Sequence, residues 1–110
     1  MTTERFNEIV KEELDYVNAL MVKKQKEYNL GTDRLEVFKH GAGIAGTTPE
    51  EVLFGFQLKH LISLADMIKA TGEGKTFTKE LWTEKLTDII NYNILLLGVL
   101  EDMNRFKEEN

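Results

Sequence analysis

Glu84, Asp88 and Asn91 follow one another at steps of four and three residues, which puts two carboxylates and an amide on one face of a helix. Tyr92 stands one turn beyond Asp88 and adds a phenol to the same neighbourhood. A second row, Lys59, Ser63 and Asp66, has similar spacing, and His60 adjoins Lys59. The tract KKQKEY supplies a third group: Lys23, Lys24, Lys26, Glu27 and Tyr28. Gathered in one cleft, these residue types suit a small phosphorylated ligand. Lysines neutralise phosphate, an aromatic ring stacks on a base, and Asn or Asp reads hydrogen-bonding groups. Carboxylates on opposing helices would alternatively hold magnesium, which takes oxygen ligands and keeps several waters.

Each row also has a plain structural reading. Glu84 and Asp88 fit a solvated face softened by Lys85, and Lys59 and His60 fit ordinary surface. Trp82 and Tyr92 fit core or interface aromatics. Asn91 and Asn93 are harder to place that way, because they lie in EKLTDIINYNILLLGVL, one of the most apolar runs of the chain. An unpaired amide in apolar surroundings costs on the order of 1–3 kcal/mol, so at least one of the two needs a specific partner.

The chain that must position these groups has 110 residues, 42% of them hydrophobic, which suits one helical domain over residues 1–110 with a single core. A formal charge of −5 without any basic tract argues against duplex nucleic acid as a partner and leaves small phosphorylated molecules open. With no cysteine there are no disulfides, thiolate nucleophiles or zinc–thiolate sites. The opening MTTERFNEIVKEEL is too charged for a signal peptide. The run Ile94–Leu97 is far shorter than the roughly 20 apolar residues of a membrane span. A cytoplasmic protein without a membrane partner is expected.

Periodicity predicts an all-α fold: three long helices in an antiparallel bundle. The first covers about Thr3 to Tyr28, where Phe6, Ile9, Val10, Leu14 and Val17 recur at helical spacing. The second opens at TPEE, with Thr48 as N-cap, Pro49 as first helical residue and Glu51 completing a capping box, and ends at TGEGK. The third starts after Thr78 and carries apolar residues as far as Phe106. Between the first two, residues 32–47 allow a short turn around Leu35, Val37 and Phe38. Gly41, Gly43 and Gly46 then argue for an irregular link, or for backbone amides approaching a phosphate. The third helix is apolar over more than one stripe. A three-helix monomer would leave part of it wet, so a homo-oligomer is expected.

The segments KKQKEY, DRLEVFKHGAGIAGTTPEEVLFG, KHLISLADMI and LWTEKLTDIINYNILLL together resemble a family of small phage-encoded proteins similar to those carrying a nucleotide-modification-associated domain. That group is in turn distantly similar to the all-α nucleoside-triphosphate pyrophosphatases of the MazG type. The resemblance implies an all-α oligomer that handles nucleotides in the cytoplasm of an infected host. It points to Lys59, His60 and Arg34 for phosphate, Tyr28 or Tyr92 for base stacking, and Asp88 and Asn91 for hydrogen bonds. The implied role is to bind a nucleotide or nucleotide second messenger and so sequester a defence signal, with no cofactor. The first alternative is a magnesium-dependent pyrophosphohydrolase holding the metal with Asp66, Glu84 and Asp88. The chain departs from that pattern, since it has no Glu-x-x-Glu pair and its Glu84 and Asp88 are four apart. The second alternative is a phage structural factor or inhibitor that uses its apolar surface against a host protein.

Overall fold

The computed structural model describes residues 1–28 and 33–109, with the side chains of residues 24–28 left out. It is all-α: α1 Thr3–Tyr28, α2 Glu36–Ala45, α3 Pro49–Gly72 and α4 Lys79–Asp102. No described residue is in a strand, and no helix is long and apolar enough to cross a membrane.

The start signals act as local chemistry dictates. The Thr48 hydroxyl accepts the Glu51 amide at 3.2 Å and donates to Glu51 Oε1 at 3.0 Å, with Pro49 in the first turn. Thr78 likewise accepts the Leu81 amide at 3.1 Å. The third predicted helix stops short of Phe106. Asn104 takes a left-handed φ of 55°, the Arg105 amide bonds the Leu100 carbonyl at 2.8 Å, and Arg105 turns back to Glu50 at 2.9 Å.

The expected irregular link is a fourth helix. α2 runs straight through Gly41 and Gly43, whose amides are taken up in the helix and do not form a phosphate cradle. The helix survives its glycines because of packing. A Cβ at Gly41 would lie 3.1 Å from Val52 Cγ1, so the missing side chain lets α2 approach α3 closely. Phe38 and Ala42 are buried on that face. Gly46 ends α2 at φ 70°, and the amides of Gly46 and Thr47 both bond the Ala42 carbonyl. At the other end, Asp33 accepts the Leu35 amide at 2.9 Å. Lys39 bridges Asp33 and Asp102, tying α2 to the end of α4.

α4 is the hub: α1 packs against α4, α4 against α3, and α3 against α2. In the pairs Glu50–Arg105, Gln57–Asn93 and His60–Asp88 one partner's number rises as the other's falls, so α3 and α4 are antiparallel. Phe38, Leu53 and Val99 form the core where α2, α3 and α4 meet. α1 and α3 flank α4 and cover part of its apolar surface: Val99 is buried, while Leu81, Leu86, Ile94 and Leu97 stay exposed. Between those flanks lies an open groove of about 690 Å³ lined by Ile9, Leu64, Trp82, Leu86 and Ile90 among others.

Candidate functional site

The turn between α3 and α4 is only residues 73–78, with Gly74 at φ 93°, and it folds α4 back along α3. Half-buried His60 therefore faces half-buried Asp88, Nδ1 to Oδ2 at 3.6 Å, beyond hydrogen-bonding distance. The His60 and Tyr92 rings sit 5.2 Å apart, tilted by 40°. Burial, and then the charge of Asp88, pushes the Tyr92 phenol above its ordinary value.

Asn91 lies one turn from Asp88 and is only 5% exposed. Neither its amide oxygen nor its amide nitrogen has a hydrogen-bond partner, and His60 Nδ1 is buried and unpartnered as well. Two polar pairs on neighbouring positions are satisfied. Gln57 Nε2 donates to Asn93 Oδ1 at 2.6 Å across the α3–α4 seam. The Thr87 hydroxyl, fully buried, donates to Glu13 Oε1 of α1 at 2.5 Å. Polar pairs thus join α1, α3 and α4, and one turn from both Thr87 and Asp88 the Asn91 carboxamide is unpartnered. A carboxamide offers one donor side and one acceptor side, the complement of an amide or amidine edge. Both of its polar atoms are closed off from solvent, so a ligand reaches them only when a neighbouring side chain rotates.

Of the residues singled out from the sequence, His60, Asp88 and Tyr92 meet at this seam, and Asn91 is buried one turn from Asp88. Lys59 is exposed on α3 and, as the neighbour of His60, points about 100° away around the helix. Arg34 is committed elsewhere: its guanidinium donates to the Met21 carbonyl at 3.1 Å and ties α1 to the approach to α2. Tyr28, with Glu27 and the lysines at 24 and 26, falls outside the described side chains. Asp66 and Glu84 are exposed, and no three Asp, Glu or His among the described residues come together as metal ligands.

Sequence reasoning passed over Glu13, Thr87 and Gln57. Two of these carried a readable signal. Glu13 stands midway between Ile9 and Val17 on the inner stripe of α1, and Gln57 follows Leu53 by four on that of α3.

The Tyr92 environment sets a pH dependence. A phenol whose folded value is raised favours the neutral form in the fold. Stability is therefore intact below the unfolded value of about 10 and is lost as pH rises from there through the raised folded value. In a phenolate absorbance titration, Tyr92 should ionise late. Tyr92→Phe should abolish that late step and lessen the alkaline loss of stability. A titration whose late part Tyr92→Phe leaves unchanged would refute this environment.

Compared with family models, curated proteins and solved structures, the chain matches none.

Proposed function

We propose that the protein binds a small nucleotide at the α3–α4 seam and holds it without cleaving it. The observation that carries this reading is Asn91, buried with both amide groups unpartnered, one turn from Asp88 and next in sequence to Tyr92, whose ring meets that of His60. Buried polar groups are nearly always paired, so an orphaned carboxamide asks for a visiting partner. A nucleobase edge supplies a matching donor and acceptor, and the ring pair supplies a surface for its flat face. Asp88 accepts from a base amino or ribose hydroxyl group. The phosphate end falls to His60, since the Arg34 guanidinium already serves the α1 backbone and Lys59 points away around α3.

The chain lacks the Glu-x-x-Glu pair of the all-α pyrophosphatases, which favours sequestration over hydrolysis. A role in removing a nucleotide signal of host defence, inside an infected cell, follows from the resemblance to small phage proteins.

A thermal-shift screen of mono-, di-, tri- and cyclic nucleotides, with and without magnesium, tests the reading. The expected result is a shift with one class that needs no magnesium, and heat-denatured protein that releases the ligand unchanged. Release of a hydrolysed product would replace this reading with the hydrolase. No shift with any nucleotide would overturn it.

A further inference from the structure

Among the exposed hydrophobic side chains, two sets fall in stripes along a helix. On α1, Phe6, Val10 and Leu14 recur every four residues, and on α3 so do Phe54, Leu58 and Ile62; each of the six is between 41% and 61% exposed. Neither stripe is the face its helix turns to the core. On α1, Val17 is buried with Glu13 and Ile9 half-buried beside it, and on α3 the buried positions are Pro49, Leu53, Gln57 and Met67.

The whole chain is correspondingly open. Its accessible surface is 8394 Å², where a compact 12.7 kDa monomer exposes roughly 6,200 Å². The radius of gyration is 16.7 Å, against about 13 Å for a compact chain of this length. Only six hydrophobic side chains among the described residues are buried: Val17, Phe38, Ala42, Leu53, Met67 and Val99. The excess surface, about 2,200 Å² per chain, falls within what one partner contributes to an obligate homodimer and well above the roughly 800 Å² of a standard interface.

We infer that a second copy of this chain covers the Phe6–Val10–Leu14 and Phe54–Leu58–Ile62 stripes, and that the folded unit is a dimer. Ridges at four-residue steps are the surface that interdigitates when helices pack, and a two-fold arrangement uses the same patch on both copies. The interface lies on the outer faces of α1 and α3. The inference stands apart from the nucleotide reading, because association is measured with no ligand present.

Sedimentation equilibrium should give twice the 12.7 kDa chain mass. The urea midpoint should also rise with protein concentration from roughly 1 to 100 µM, as it does when folding and association are linked. Leu14→Glu and Ile62→Glu should each weaken association at least tenfold, while Val37→Glu, exposed on α2, should not. If a stripe variant fails to fold, the concentration dependence of the wild-type midpoint decides alone. A wild-type mass of 12.7 kDa, with a midpoint independent of concentration, would overturn the dimer and leave the stripes to a different protein.

Discussion

Leu53→Ala should lower the unfolding free energy by about 3 kcal/mol, within the 2–5 kcal/mol range of buried Leu truncations. Leu53 is 0% exposed and packs with Phe38 and Val99 where three helices meet. The truncation removes contacts that no other residue replaces, because so few side chains are buried. In a domain whose total stability is some 5–15 kcal/mol, a loss of that size multiplies the unfolded fraction by about 150. Val37→Ala is the control: it lies on the same short helix system but is exposed, and it should change stability by less than about 1 kcal/mol. Urea denaturation at one fixed protein concentration measures both. If Leu53→Ala loses no more than the control, the α2–α3–α4 junction is not the packed centre of the fold.

Asn91→Leu should act in the opposite direction on stability and far more strongly on binding. Each unpaired amide atom buried in the ligand-free chain costs about 1–3 kcal/mol, and a leucine of similar volume removes both. Some of that gain is offset by the branched side chain fitting imperfectly, since shape changes in a packed interior carry their own penalty. The expected net result is a higher urea midpoint together with at least a hundredfold loss of nucleotide affinity by calorimetry, about 2.7 kcal/mol. Asn91→Asp keeps the shape and acceptors but loses the donors, and should weaken binding without the gain in stability. Destabilisation by Asn91→Leu would mean that the amide serves the fold. Unchanged affinity would put any ligand elsewhere.

The two substitutions sit on one seam and separate its two duties. Around Leu53 the α3–α4 pair is packed and dry. Two turns further along α3, around His60, polar atoms are brought together and left unpaired. A seam that sacrifices hydrogen bonds in its interior is where structural and binding demands conflict, and stability is expected to rise when the binding group is removed.

Helix existence and most helix ends were legible in the sequence. Thr48, Pro49 and Glu51 announce the start of α3, and Thr78 that of α4, because a cap is made by residues three positions apart. The periodic apolar stripes of α1 and α3 were equally readable, since a stripe is a property of one helix. The fourth helix was not. Gly41 and Gly43 weaken a helix judged alone, and only the close approach of Val52 shows why a glycine is wanted there. The end of α4 was also misjudged, because its apolar pattern continues while Asn104 and the Arg105–Glu50 pair turn the chain away.

The site divides in the same way. Residue types alone marked His60, Asp88, Asn91 and Tyr92 as polar groups in an apolar setting, and the amide argument required a partner for at least one asparagine of α4. Which asparagine has one was decided by α3: Asn93 receives Gln57 from 36 residues away, whereas Asn91 receives nothing. Thr87 finds Glu13 at a separation of 74 residues, and Arg34 turns to the Met21 backbone rather than to the seam. Capping and periodicity act within a turn or two of chain, so composition and spacing determine them. Pairing across a seam depends on how rigid helices cross, where a rotation of a few tens of degrees exchanges one partner for another, and only the packed tertiary structure chooses.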